Sequence, residues 1–105
     1  MTEQLPPVPP GEILLEEFMV PLGISQNKLA RDIDVPVGRI NDIIHGRRGI
    51  SADSAVRLAA YFGNTAEFWS NLQSRYDLKL ARSSLAPVLK ETIRPLRASA
   101  RGAAE

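Results

Sequence analysis

At 105 residues the chain has room for one domain with a small core, and its lack of cysteine excludes a disulfide scaffold, a cysteine nucleophile and a thiolate metal site. No run approaches the roughly 20 apolar residues of a membrane span. The net charge of +1 is polarised: residues 1–24 carry four Glu and no Lys or Arg, whereas residues 79–105 carry six Lys/Arg against two Glu.

Four prolines within residues 1–10 predict an extended or disordered arm over residues 1–9. A first helix starts near Pro10 or Gly11, with Ile13, Leu14 and Phe18 on one side and Glu12, Glu16 and Glu17 mostly on the other. Pro21 and Gly23 stop it. Ser25 caps a second helix, "QNKLARDI", in which Leu29 and Ile33 stand at i, i+4. Pro36 forces a break, and a third helix, "VGRINDIIH", places Val37, Ile40 and Ile44 on one face until Gly46 ends it. Ser51 caps a fourth helix with Ala55, Leu58, Ala59 and Phe62 at helical spacing, ended by Gly63. Thr65 caps a fifth, with Phe68, Leu72 and Tyr76 in line and Trp69 beside them, running to about Arg82.

No segment alternates like a strand, so the expected fold is all-α: a five-helix bundle over residues 10–83. Residues 84–105 read as a basic tail, partly disordered, with a short extra helix around Val88–Ile93 limited by Pro95. Lys90, Arg94, Arg97 and Arg101 of this tail either touch nucleic acid or remain solvated.

The spacing within residues 26–44 is more specific. Leu29, Ala30, Ile33, Val35, Ile40 and Ile43 are buried-type positions, and the small Ala30 falls where two helices would cross closely. Polar residues fill the gaps. This is the pattern of a helix-turn-helix, whose second helix enters the DNA major groove. "SQNKLARDIDVPVGRINDIIHGRRGIS" resembles the Cro/repressor-type (XRE) helix-turn-helix, which implies a lambda repressor-like fold. Across residues 10–82 the pieces "PGEIL.EEF", "RIN.I..G.RGI", "A.RLA.YFG" and "EFW.NLQ..YDL" resemble the HigA, or VapI-like, antitoxins. The resemblance implies an autorepressor that also binds a RelE-like ribonuclease toxin, HigB. Asp34 departs from the usual turn glycine, a mild change because aspartate tolerates the left-handed region.

On the third helix the outward positions are Val37, Gly38, Arg39, Asn41 and Asp42, the candidates for base contact. Arginine can fork onto guanine and asparagine onto adenine, valine can meet a thymine methyl, and aspartate can accept from cytosine. Ser25, Gln26, Asn27, His45, Arg47, Arg48 and Ser51 are the candidates for phosphate contact, from helix N-termini and from the loop behind the helix. The plainer alternative for each is a solvated polar surface. Phe68, Trp69, Leu72 and Tyr76 combine core packing with a candidate two-fold dimer interface, which a palindromic operator requires. Glu12, Glu16 and Glu17 are candidates for binding a basic toxin, or else form an ordinary solvated face.

A single histidine without cysteine offers no zinc site, and no hydroxyl has a spaced base to activate it. The expectation is a non-enzymatic homodimer without cofactor, with no membrane partner. Cysteine-free composition and the absence of a signal-peptide pattern in "MTEQLPPVPPGE" place it in the cytoplasm. A stand-alone repressor without a toxin, and a protein-interaction module that has lost DNA binding, are the alternatives.

Overall fold

The structure, a computed structural model, describes residues 6–96, and these form five helices with no strand among them. Residues 1–5 of the expected arm and residues 97–105 of the expected tail, with Arg97 and Arg101, lie outside the described residues.

Helix α1 spans residues 10–22. It opens at Pro10–Ile13, widens into a π-helical segment at Leu14–Met19 and closes at Val20–Leu22. Pro21 does not stop it. Proline has no N–H to give, yet the turn before it is wide, with Val20 N–H donating to Leu15 O five residues back, and the helix continues to Leu22. Gly23, at φ 65°, makes the left-handed stop.

Helices α2 (Gln26–Ile33), α3 (Val37–Ile44) and α4 (Ala52–Phe62) follow, then the long α5 (Ala66–Thr92). Hydroxyls satisfy free N–H groups at three of their starts. Ser25 Oγ accepts from Lys28 N at 3.0 Å, Ser51 Oγ from Ser54 N at 3.2 Å and Thr65 Oγ1 from Phe68 N at 3.0 Å. Asp34 takes the left-handed turn between α2 and α3, at φ 61°. Val35 N–H then reaches back to Ala30 O at 3.0 Å, which turns the chain tightly into Pro36 and α3.

Leu14, Met19, Leu29, Ala30, Ile33, Ile40, Ile43, Ile50, Ala55, Leu58 and Trp69 form one core. Val35, expected inside, packs at its edge. Trp69 is the central piece, fully buried, with Phe18, Phe68 and Phe62 around it at 4.8, 5.0 and 5.9 Å between ring centroids. Its buried indole N–H donates to Asn64 Oδ1 at 2.8 Å. Trp69 therefore leaves the set of dimer candidates: its whole side chain is spent inside one chain.

Helix α5 exceeds its expected length. It passes Arg82 and Pro87 without a break and absorbs the separate short helix expected at Val88–Ile93. Its first half packs on the body through Trp69, Leu72, Gln73 and Tyr76. Every residue from Asp77 to Leu96 is exposed. At about 100° per residue, Leu78, Leu85 and Leu89 share a line opposite the Trp69–Tyr76 face. A 27-residue helix thus has two apolar faces, the first packed in the domain and the second open.

Candidate nucleic-acid interface

Helix α3 is held from below. Ile40 and Ile43 are buried in the core. At its C-terminal end α1 comes so close that a Cβ on Gly11 would meet the Ile43 carbonyl. The opposite side is open. Val37 is exposed, and beyond its chain neighbours and its own helical turn no described atom stands within 4 Å of where a Cβ on Gly38 would sit. A nucleic-acid surface can approach the backbone here.

The polar candidates beside them form a network. Asn41 is used at both ends of its carboxamide: Nδ2 donates to Gln26 Oε1 at 3.1 Å, and Oδ1 accepts from Arg47 Nη2. Asn41 thereby joins the start of α2 to the loop after α3. Arg47 Nε also pairs with Asp42 Oδ1 at 3.1 Å. His45 Nδ1 lies 2.9 Å from Asn41 O, a pure acceptor, so this hydrogen bond requires the proton on Nδ1. Among the described residues no ion pair involves the Arg48 side chain, which extends into solvent.

Arg39 lies along the first turn of α4. Its Nη1 donates to Asp53 Oδ1 at 2.8 Å, and Arg57 Nε donates to the same oxygen at 2.7 Å. The Arg57 guanidinium, followed by that of Arg39, holds the Asp53 carboxyl below the usual carboxylate range. Arg57 Nη1 also donates to Ile33 O at 2.8 Å and Asp34 O at 3.2 Å, which satisfies carbonyls at the end of α2. Beside this contact, Asp32 accepts from Lys28 at 2.9 Å and from the Tyr61 hydroxyl at 2.6 Å. Both bonds lower its pKa, the Lys28 bond more.

The helix starts differ in what they offer an anion. Ser25 is occupied as a cap, and Gln26 and Asn27 follow it without an acidic neighbour in the first turn. Ser51 is also a cap, but Asp53 already puts a carboxylate in the first turn of α4, which weakens the attraction there for a phosphate. The loop "GRRGI" is pinned from behind by α5: Gln73 Oε1 accepts from Ile50 N at 2.7 Å, and Gln73 Nε2 donates to Asp77 Oδ1 at 2.9 Å.

Asp53, Arg57, Gln73 and Asp77 escaped the sequence reading. Asp53 and Arg57 carry an i, i+4 opposite-charge signal, but nothing local points from that pair to Arg39 or to α2. Gln73 and Asp77 lie in the "NLQ..YDL" piece, where only their recurrence in the motif marks them. The expected dimer candidates sort by burial: Phe68 is exposed, and Leu72 and Tyr76 are half-buried against the body. Glu12, Glu16 and Glu17 are all exposed on α1, and among the described residues none enters an ion pair. No group of His, Asp or Glu among the described residues is placed to hold a metal, and no helix is long and apolar enough to cross a membrane.

A helix-turn-helix family model matches residues 15–69, more than half of the chain. Virulence-associated protein I of Dichelobacter nodosus is 49% identical over 78 residues, covering 74% of this chain and 72% of its own length. The solved structure of the Pseudomonas aeruginosa antitoxin HigA with the higBA promoter superposes at a TM-score of 0.82, with 46% identity, over 86% of this chain and 98% of that one. The antitoxin GraA in complex with its operator superposes at 0.83, with 38% identity, over 93% of this chain and 99% of that one. The chain belongs to the XRE-type helix-turn-helix family, alongside the HigA antitoxins and virulence-associated protein I.

Proposed function

We propose that this chain is a DNA-binding antitoxin of the cytoplasm, which represses its own operon at a palindromic operator and neutralises a HigB-like ribonuclease toxin by direct binding. The observation that carries the reading is α3 itself: Ile40 and Ile43 are sunk in the core while Val37 and Gly38 stand outward, with the half-buried Arg39 beside them on Asp53 and the Arg47–Arg48 loop behind. In the DNA complex Arg39 reads a base edge. Arg48 and the N-terminus of α2 hold phosphates, and Asn41 organises Gln26 and Arg47 around them. That relatives of this fold were solved with promoter and operator DNA supports the reading.

A palindromic operator needs two copies of the chain. The open stripe Leu78, Leu85, Val88 and Leu89 on α5 is the seam we assign to that dimer, extended by the exposed edge of Phe68. Glu12, Glu16 and Glu17, exposed and in no ion pair among the described residues, suit a toxin that must itself be basic to bind RNA.

The test is co-purification with the product of the neighbouring gene, followed by titration of a promoter fragment with both forms. Promoter binding far above that of random DNA, together with capture of a small basic partner, supports both halves. Binding no better than to random DNA removes the repressor, and a missing partner leaves a stand-alone repressor.

A further inference from the structure

Asp53 Oδ1 sits between two guanidinium groups, Arg39 Nη1 at 2.8 Å and Arg57 Nε at 2.7 Å. One of these arginines is fixed. Arg57 Nη1 is tied to Ile33 O and Asp34 O, the end of α2 and the left-handed turn into α3. The other reaches the carboxylate from the outward side of α3. The chain Ile33–Arg57–Asp53–Arg39 therefore runs from the backbone of the helix-turn-helix to the side chain proposed to read a base.

We infer that Asp53 and Arg57 are positioning residues that set DNA sequence preference by aiming Arg39, without touching a base. The inference rests on the reading of Arg39 as a base reader. A guanidinium has five N–H donors in a planar fork, and Asp53 occupies one edge. The remaining donors include a pair that can meet the two acceptors of guanine. A loose arginine must lose rotamer freedom on reaching a base, whereas one clamped by Asp53 has already lost it. The carboxylate has a second effect. An unclamped Arg39 swings to any nearby phosphate and strengthens binding to every sequence, whereas one neutralised by Asp53 gains little from random DNA. Orientation raises specific binding and charge neutralisation lowers non-specific binding, so both act on the ratio between them.

The experiment uses the full chain, its own promoter fragment and a scrambled fragment of equal length, with melting temperatures recorded for each variant. Asp53→Asn is expected to tighten binding to scrambled DNA and to lower the promoter-to-scrambled ratio by about 10-fold, the scale of one good arginine–guanine pair. Single base-pair changes along the promoter should confine the loss to the position that Arg39→Ala also relaxes. Arg57→Lys keeps the charge but not the fork, and should lose preference at the same position. In an Arg39→Ala background, Asp53→Asn should leave the ratio within about twofold. A purely structural role would lower affinity at all positions and persist without Arg39. An Arg39→Ala protein with wild-type discrimination removes the base-reader reading, and this inference with it. A loss on Arg39→Ala with no loss, or a gain, on Asp53→Asn overturns the inference alone.

Discussion

A Cβ on Gly11 would overlap the carbonyl oxygen of Ile43. The start of α1 thus lies against the backbone of α3 with no room for a side chain, and this close approach is the reason for glycine in "PGEIL". The obstacle is main chain, which cannot swing away. Gly11→Ala should destabilise the fold by about 1–3 kcal/mol, the range for overpacking, with the backbone obstacle favouring the upper end. A urea midpoint lowered at unchanged m-value is the expected result. Because α3 carries the outward residues, promoter affinity should fall with it. A variant as stable as wild type would mean that the two helices are not in backbone contact.

Gln73 does for the arginine loop what Gly11 does for α3. Its Oε1 is the acceptor for Ile50 N–H, and a Cβ on Gly49 would crowd its carboxamide at 2.9 Å. Gln73→Leu keeps the bulk and removes the acceptor. Leaving that amide unpaired beside the core should cost about 1–3 kcal/mol. Hydrogen exchange at the Ile50 amide should quicken before global unfolding does. Unchanged protection at Ile50 would show that Gln73 is not the clasp.

The helix boundaries were legible because they are written in local chemistry. Ser25, Ser51 and Thr65 cap where hydroxyls should, and Gly23, Asp34, Gly46 and Gly63 take the left-handed stops. The long-range parts were not legible. Asn41 reads as an outward asparagine, and only folding brings Gln26 and Arg47 to its two ends. Phe68, Trp69, Leu72 and Tyr76 lie close on a helical wheel, and periodicity alone does not say that Phe18 and Phe62 close over Trp69. Helix α5 runs past its expected end near Arg82 and continues through Pro87. Proline removes one helical hydrogen bond, but a helix exposed on all sides there loses only that bond and leaves no buried group unpaired.

The acid limb of stability should report on Asp32. Its pKa is lowered by the Lys28 and Tyr61 hydrogen bonds, so the folded state holds the ionised form more strongly than the unfolded chain does. A depressed folded value means that the contribution is complete above the unfolded value of about 3.9 and is lost as pH falls through the folded value beneath it. Urea midpoints between pH 6 and pH 2 are the measurement (a range of about two units on either side of that value). Asp32→Asn should be less stable near neutrality and should lose less on acidification. Parallel acid limbs for the two proteins would remove Asp32 from the account.

Arg47 and Arg48 are adjacent in sequence but differ in state, and salt should separate them. Among the described residues no ion pair involves Arg48, whereas Arg47 is engaged with Asn41 and Asp42. Arg48→Ala should weaken binding to all sequences alike and reduce the slope of log affinity against log salt by about 0.9, one phosphate contact. Arg47→Ala should also disturb discrimination, because Asn41 loses the partner that orients it. Equal effects on promoter and scrambled DNA for both variants would mean that Arg47 only holds phosphate.

The free stripe on α5 makes the oligomeric state testable without risk to the fold. Leu85 is 47% exposed, and no described residue from Asp77 onward is buried in the body, so a charge there disturbs no packing among the described residues of one chain. In a dimer seam the same charge would be desolvated opposite its own copy. Leu85→Asp should therefore keep the circular dichroism and melting behaviour of the helix-turn-helix while light scattering shows a monomer. Each monomer carries one α3, so binding to a two-half-site promoter should weaken far more than binding to an isolated half-site. A Leu85→Asp protein that remains dimeric would move the seam elsewhere, with the exposed edge of Phe68 the next surface to test.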